Sequence, residues 1–369
     1  MTGTRNYLAP LALAAAVVLA GSIQAAGPRD SLKKGDLELQ SLSALAFGPE
    51  GILFIGDARA AAIVALDTRD NTAAGSTDRP KVDSIDEKIA SLLGIEAKQL
   101  LINDLAVNPI SGNTYVGVTR GKAADSKPVL LRVDRSGKID EVPLKDALFA
   151  RVALPDAAQG GKRQLSITKL AFAKDRLFVA GLSNEEFSSR FLSIPFPFKS
   201  TAKGTTVEFY HGSHGRLETT SPIRTFVPYE IKGEENLLAA YTCTPLVQVP
   251  VAELKPGAKI KGKTIAELGN RNVPLDMIVY QKDGKDYLLM ANSSRGGMKI
   301  PTEGIDKVES IATRIGGTAG LKAEKVPSLD NAVQLDAFDK DHVVVLKKIK
   351  VGPDSNPTFK YDLEIVDLP

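Results

Sequence analysis

The chain has 369 residues, with 47 Lys and Arg against 44 Asp and Glu and a net charge of +3 at pH 7. With 43% hydrophobic and 25% charged residues, its composition is that of a folded globular protein. The near balance of charge argues against a nucleic-acid-binding protein, which needs a dense basic face to neutralise phosphates. A single Cys excludes an intramolecular disulfide and a Cys-rich metal cluster, and only three His are present.

Residues 1–26 have the pattern of a secretory signal sequence. Arg5 is followed by an apolar run over residues 8–20 and by small residues at 22–26 that suit a signal peptidase. The run is short for a bilayer span, and no Cys follows it to carry a lipid. We therefore expect a periplasmic or secreted mature chain, residues 27–369, with no transmembrane anchor.

One pattern recurs through the rest of the chain: a triplet of apolar and small residues, a turn, and a second β-rich run. The clearest copy is residues 45–56, in which Gly48-Pro49-Glu50-Gly51 separates two apolar runs. Each copy has the signature of a β-hairpin. The third triplet positions, 52 to 65 residues apart, are Phe47, Val107, Phe172, Val227, Val279 and Phe338.

Such spacing suits the four-stranded blades of a β-propeller, and six copies predict six blades. One helical insertion is expected at about residues 85–100, ahead of the second copy. Few residues remain after the last copy, so residues 37–40 are expected to pair beside residues 361–366. The sequence thus predicts an all-β fold in one domain, a six-bladed β-propeller closed by an N-terminal strand that completes the C-terminal blade.

Residues 42–57 (LSALAFGPEGILFIGD) resemble a blade of the NHL, SMP-30 and YVTN-type propellers. Members of these families bind ligands, cleave lactones or oxidise sugars, so the resemblance implies the fold without selecting an activity. Gluconolactonase-like members hold a divalent cation with acidic and Asn side chains at the channel mouth. The resemblance offers four such ligands here: Asn103, Asp104, Asp276 and Asn331. The absence of Trp excludes the WD40, YWTD and eight-bladed quinone-dehydrogenase patterns.

In a propeller, the start of each innermost strand lies at the channel mouth. The residues expected at that level are Ala44, Asp104, Lys169, Arg224, Asp276 and either Leu335 or Asp336. Charged groups at four of the equivalent positions form either a structural ion-pair network in the channel or a ligand-binding ring. Three further Arg side chains are expected in mouth-side loops, at Arg59, Arg120 and Arg295. Guanidinium groups there favour a carboxylate or phosphate ligand, and the alternative is surface ion pairing.

The segment from Phe209 to Glu218 holds two of the three His, in a loop flanked by Gly. His211 and His214 can share one metal ion, with Glu218 or Cys243 as a third ligand. One of the two imidazoles could instead act as a general base, or both could serve packing and hydrogen bonding in the loop.

Two functions remain open on these residues. The first is an exported propeller that binds a small anionic ligand or a protein partner on its mouth face, through the five cationic side chains together with Asp104 and Asp276. The alternative is a metal-assisted hydrolase of lactonase type, using Zn, Cu or Ca with His211, His214, Asp104 and Asp276. No haem is expected without a Cys-x-x-Cys-His motif, and no nucleotide without a phosphate-binding Gly-rich loop.

Overall fold

The computed structural model describes residues 27–121, 126–243, 245–353 and 357–369. The proposed signal sequence, residues 1–26, lies outside the described residues. Within the described residues, no helix is both long enough and apolar enough to cross a membrane.

Each sequence repeat forms one sheet of mainly antiparallel strands, and the six sheets are the six blades of a β-propeller. The predicted fold class and blade number are confirmed. Blade 1 contains β1 (Lys33–Gly35), β2 (Ala44–Phe47), β3 (Ile52–Asp57), β4 (Ala62–Asp67) and β9 (Ala147–Ala153); blade 2 contains β5 (Leu100–Val107), β6 (Thr114–Arg120), β7 (Lys127–Val133) and β8 (Ile139–Glu141). Blade 3 contains β10 (Lys169–Ala173), β11 (Arg176–Leu182), β12 (Ser189–Pro195), β13 (Thr205–His211), β14 (Arg216–Glu218) and β18 (Lys259–Lys261).

The remaining blades follow in chain order. Blade 4 contains β15 (Ile223–Ile231), β16 (Glu234–Tyr241), β17 (Pro245–Pro250), β19 (Lys263–Leu268) and β23 (Thr318–Gly320). Blade 5 contains β20 (Pro274–Lys282), β21 (Lys285–Asn292), β22 (Gly296–Pro301) and β24 (Glu324–Val326), and blade 6 contains β25 (Ala332–Ala337), β26 (His342–Val351) and β27 (Thr358–Asp367).

The hydrophobic core lies between the blades. Strand β3 is buried along its whole length because neighbouring sheets cover both of its faces, so its residues 52–55 are all apolar rather than alternating with polar ones. Phe54 of blade 1 shows the packing: its ring lies 5.3 Å from that of Phe172 and 4.9 Å from that of Phe196, both in blade 3. Blades 1 and 3 are therefore direct neighbours, although blade 2 separates them in the sequence.

The first two blades exchange places around the ring relative to their order in the chain. The inner strands pack in the sequence β5, β2, β10, β15, β20, β25 and back to β5. Strand β9, which follows blade 2, runs along the outside of blade 1 and pairs with β4 before the chain enters blade 3. The N-terminal strands thus fill a gap that the later chain leaves between blades 2 and 3.

The predicted closing strand is wrong. Strand β1 pairs with β9 at the edge of blade 1, and the Leu37 N–H donates to the Leu144 carbonyl oxygen at 2.8 Å. Blade 6 keeps three strands, and its outer strand β27 is met instead by Val82, which exchanges backbone hydrogen bonds with Leu363 at 2.8 and 3.0 Å. Residues 37–40 cannot reach this edge because blade 2 stands between blades 1 and 6.

The helical insertion reinforces this closure. Helix α1 (Ile85–Leu92) packs on β27, with Ile85 and Ile89 fully buried against the apolar face of blade 6. The Asp86 carboxylate accepts the Tyr361 N–H at 2.9 Å and is 7% exposed. Edge N–H groups need such partners when they are taken out of water.

We predict that Asp86→Ala destabilises the protein by about 1–3 kcal/mol, because it leaves the N–H of Tyr361 without an acceptor. Glu87→Ala is the matched control, since Glu87 is an exposed acid in the same first helical turn. Chemical denaturation of both variants measures the difference. Equal losses would show that the effect comes from the helix dipole rather than from closure.

Candidate functional site

The carboxylates at the channel join neighbouring blades through backbone N–H groups. Asp104 of blade 2 accepts the Leu45 N–H of blade 1 at 2.8 Å. Asp336 of blade 6 accepts the Val107 N–H of blade 2 at 2.7 Å. Asp276 of blade 5 accepts the Leu335 N–H of blade 6 at 3.1 Å. All three bonds point in the same direction around the ring. Neither Leu335 nor Asp336 is the equivalent of the other two acids, because the residue that follows the bulge of the inner strand is Asp104 in blade 2, Asp276 in blade 5 and Gln334 in blade 6.

Lys169 of blade 3 forms ion pairs with two of these carboxylates. Its Nζ lies 2.7 Å from Asp276 and 3.6 Å from Asp104, and its side chain is 15% exposed. Burial alone would lower the pKa of Lys169, but Asp104 and Asp276 together raise it above its ordinary value. The predicted ion-pair network is therefore present, and the ammonium group occupies the position that a cation between these acids would take.

Burial raises the pKa of two of the acids. The pKa of Asp104 rises from 3.8 to about 6, because desolvation outweighs the nearby Lys169. The pKa of Asp336 rises from 3.8 to about 7, again through desolvation within the ring, against the opposing effect of its hydrogen bond from Val107. One cation among three carboxylates thus favours partial protonation near neutral pH.

A cavity of about 540 Å³ opens at the predicted channel mouth. Side chains from the starts of the inner strands of all six blades line it, including Asp104, Lys169, Arg224 and Gln334. Arg59 lines it from the loop after β3, as expected. The volume lies within the range typical of small-molecule sites.

Arg224 is a cation of this mouth without an ion pair among the described residues. Its Nε is buried and makes no hydrogen bond with any described residue, and desolvation lowers the pKa of the guanidinium group. No ion pair holds the side chains of Arg224 or Arg59 within the described part of the chain, in contrast to Lys169. The mouth therefore presents an unsatisfied donor beside carboxylates that are already engaged by Lys169 and by backbone N–H groups.

The structure does not bring the other two predicted arginines to the mouth. Arg295 is exposed and lines a second, larger cavity of about 1230 Å³ beside blades 4, 5 and 6, which shares Leu275 and Val333 with the mouth. Asn331 also lies there rather than with Asp104, so the cation ligands implied by the family resemblance do not converge. Arg120 is exposed at the end of β6, outside the described lining of both cavities.

The larger cavity is basic, a property that no sequence motif predicted. Lys322 and Lys348 line it together with Arg295, and Lys325 is paired with Asp330 at 3.2 Å. Lys322 lies in a long connection between blades that carries no repeat signal, so its position depends on the path of that connection in space. Two adjacent cavities on this side of the ring thus carry cationic linings.

The two His and Glu218 come together as predicted. Glu218 Oε1 lies 2.6 Å from His214 Nδ1 and 3.1 Å from His211 Nδ1, and the two imidazole centroids are 3.8 Å apart. Burial opposes ionisation of Glu218, but the adjacent His211 imidazole and hydrogen bonds from Ser221 and His214 hold its pKa well below its usual range. Cys243 does not join this group of candidate ligands among the described residues, and it is half-buried in the loop after β16.

This cluster is separate from the mouth, since neither His is among the described residues that line the mouth cavity. The composite hydrolase site of His211, His214, Asp104 and Asp276 is therefore not formed. Sequence reasoning also missed Glu267 of blade 4, which accepts the Gly212 N–H at 2.5 Å beside the two His. Only the pairing of blades 3 and 4 brings it there.

No protein-family model matches the chain, and no curated protein matches it. Among solved structures, it is similar to the PQQ-bound form of aldose sugar dehydrogenase from Streptomyces coelicolor, with 13% identity over 90% of this chain and 97% of that chain and a TM-score of 0.35. It is similar to the putative oxidoreductase (glucose dehydrogenase) from Thermus thermophilus, with 13% identity over 91% and 100% of the two chains and a TM-score of 0.35. Domains 1–2 of Drosophila Semaphorin 1b give 10% identity over 90% and 88% and a TM-score of 0.38. Similarities this distant carry no argument about activity.

We predict that Lys169→Met destabilises the protein by about 3–5 kcal/mol at pH 8, because it leaves buried carboxylates without a cation. The loss should be smaller at pH 5. A carboxyl group whose folded pKa lies above its unfolded value favours folding at low pH, and that contribution is lost as pH rises through the folded value. Asp104 and Asp336 therefore take up protons at pH 5 and relieve the uncompensated charge.

Lys174→Met is the matched control for this prediction. Lys174 also contacts two carboxylates, those of Glu230 and Glu235, but its side chain is 61% exposed. Its replacement should change stability little at either pH. Urea unfolding of both variants at pH 5 and pH 8 measures the effect, and a pH-independent loss in Lys169→Met would contradict the proposed role of the carboxylates.

Proposed function

We propose that this protein is an exported six-bladed propeller that binds a small anionic ligand at its channel mouth, through Arg224 and Arg59. The observation that carries this proposal is the buried Arg224 Nε without a hydrogen-bond partner. An unsatisfied buried donor is costly, and a bound carboxylate or phosphate would satisfy it with a charge-assisted pair of hydrogen bonds. Export rests on the signal-like pattern of residues 1–26.

The charges of the mouth support an anion rather than a cation. The acids at this level are engaged by Lys169 and by backbone N–H groups, so they offer little to a metal ion. The guanidinium groups of Arg59 and Arg224 are the cations left without ion pairs among the described lining residues. Guanidinium groups bind carboxylate and phosphate with two parallel donors, which gives direction as well as affinity.

A second unsatisfied group narrows the class of ligand. The Gln334 side-chain amide donates to the Asn103 carbonyl oxygen at 2.7 Å, while its own Oε1 is buried without a partner. An acceptor beside cationic donors suits a molecule that carries hydroxyl groups as well as its anionic group. We therefore propose a hydroxylated small acid, such as a sugar acid, as the ligand.

The basic lining of the larger cavity extends this proposal to a second candidate. Because the two cavities share Leu275 and Val333, an acidic segment of a protein partner could lie across both. The lactonase-type alternative has less support, because Lys169 stands between Asp104 and Asp276 and the two His lie elsewhere. Membership of the NHL-like families stays a proposal based on residues 42–57.

We expect the untagged mature protein to bind gluconate in isothermal titration calorimetry. Arg224→Gln should weaken binding about 10–100-fold, since a hydrogen bond to a charged group contributes about 1.5–3 kcal/mol. Arg120→Gln, at an exposed position outside both cavities, should leave the affinity unchanged. Succinate, which lacks hydroxyl groups, should bind more weakly than gluconate.

Two results would contradict the proposal that the mouth binds a small anion. If gluconate, succinate and inorganic phosphate all fail to bind, the small-anion proposal is wrong and the partner-binding candidate remains. If gluconate binds equally to Arg224→Gln and wild type, the mouth is not the site. Far-UV circular dichroism of each variant checks that the propeller has folded.

A further inference from the structure

The hairpin of β13 and β14, away from the channel mouth, contains a group of possible metal ligands. We propose that it is a Zn²⁺ site in which His211 Nδ1, His214 Nδ1 and Glu218 Oε1 are the protein ligands. The site is independent of anion binding at the mouth. The proposal rests on the convergence of three ligand atoms, on an unsatisfied buried nitrogen among them, and on the chemistry of the donor set.

Local backbone geometry brings the three ligands together. In the hairpin, His211 pairs with Arg216 and Phe209 pairs with Glu218, so His211 and Glu218 lie diagonally on the same face. The connecting turn is closed by the Gly215 N–H, which donates to the His211 carbonyl oxygen at 2.8 Å. Gly215 has φ +67°, which favours Gly, and a Cβ atom there would lie 3.1 Å from Arg314. This turn folds His214 back over His211.

The donor atoms already lie at the spacing of a metal site. All three are within 4.8 Å of one another, and Glu218 Oε1 is 2.6 and 3.1 Å from the two Nδ1 atoms. Ligands about 2.0–2.2 Å from a tetrahedral zinc are roughly 3.3–3.5 Å apart, so small side-chain movements would accommodate the ion.

The arrangement without metal leaves an unsatisfied group. His211 is 1% exposed, and its Nδ1 makes no hydrogen bond with any described residue, although Glu218 Oε1 is 3.1 Å away. The two atoms lie close enough for both to reach one point beside them. A metal ion at that point would engage both.

The surroundings support the same ligands. Ser221 donates a hydrogen bond to Glu218 Oε2, which leaves Oε1 as the ligand oxygen. On the other side of His211, Nε2 lies 3.4 Å from Ser213 Oγ, which in turn contacts Glu267 Oε2 at 3.2 Å. A ligating His generally uses its second ring nitrogen in such an outer contact, which fixes the orientation of the ring. Arg216, at 3.6 Å from Oε1, is 71% exposed and can turn into solvent.

Two imidazoles and one carboxylate favour zinc over calcium, which takes six to eight oxygen ligands. His214 is 41% exposed, so the site is open to solvent on one side. Three protein ligands with an accessible fourth position match the composition of zinc sites that also hold water.

The experiment is a zinc titration of the untagged mature protein, after chelator treatment, monitored by competition with a chromophoric chelator. We expect one equivalent of Zn²⁺ to bind at micromolar or tighter affinity. His214→Ala and Glu218→Gln should each weaken binding by more than the roughly 10–100-fold that the loss of an outer-shell partner costs. Co²⁺ in place of zinc should give the intense visible absorption of a four-coordinate ion in wild type, and neither variant should show it.

The matched control is His342→Gln. His342 also lies between two carboxylates, Asp339 at 2.6 Å and Asp367 at 3.2 Å, but in blade 6 and outside the proposed site. It should bind zinc like wild type. The proposal is overturned if wild type binds no stoichiometric zinc, or if His214→Ala and Glu218→Gln keep wild-type affinity. Using His214 and Glu218 avoids replacing the buried His211, and circular dichroism confirms that the variants fold.

Discussion

The ring depends on the need of each innermost strand to satisfy its free edge. The inner strand of a blade pairs on one side only, so N–H groups on its other side face the next blade and the channel. Asp104, Asp276 and Asp336 each supply an acceptor to such an N–H group of the following blade. Without that acceptor, the donors would be buried and unsatisfied, at a cost comparable to that of a lost hydrogen bond. Packing between adjacent blades therefore depends on hydrogen bonds to these carboxylates as well as on apolar contacts.

The use of carboxylates as acceptors between blades determines which charged side chains are left to contact a ligand. Three carboxylates in one confined ring repel one another, and Lys169 offsets two of them at 2.7 and 3.6 Å. The acids and the lysine together form a structural layer in which one cation partly offsets three carboxylates. Arg224, one blade further on, has no such counterpart among the described residues, and its unsatisfied Nε is the observation on which the proposed ligand-binding role rests.

The candidate anion site and the candidate metal site lie in different parts of the protein. The mouth cavity is lined by all six blades, so its composition depends on residues far apart in the sequence. The His211, His214 and Glu218 cluster is formed within one hairpin of blade 3, and Glu267 of blade 4 only supports it. An anion site built by the whole ring and a metal site built locally can therefore change independently.

The sequence by itself determined the fold class, the six blades, the helical insertion and the group of two His with Glu218. Each of these depends on local spacing: turn residues between β-rich runs, or ligands a few residues apart on one hairpin. The sequence also placed Asp104, Lys169 and Asp276 at one level of the ring, because equivalent repeat positions become equivalent places in space. Arg224 precedes the equivalent residue of blade 4, Thr225, by one position.

Only the tertiary structure decided the order of the blades and what each charged group does. The exchange of blades 1 and 2, and closure at Val82 rather than by residues 37–40, depend on which distant strand edge meets which segment. The separation of Arg120 and Arg295 from Arg59 depends on side-chain direction and loop path, which a repeat does not encode. Whether a charge is paired or free is a property of its neighbours in space, and for Lys169 those neighbours come from blades 2 and 5.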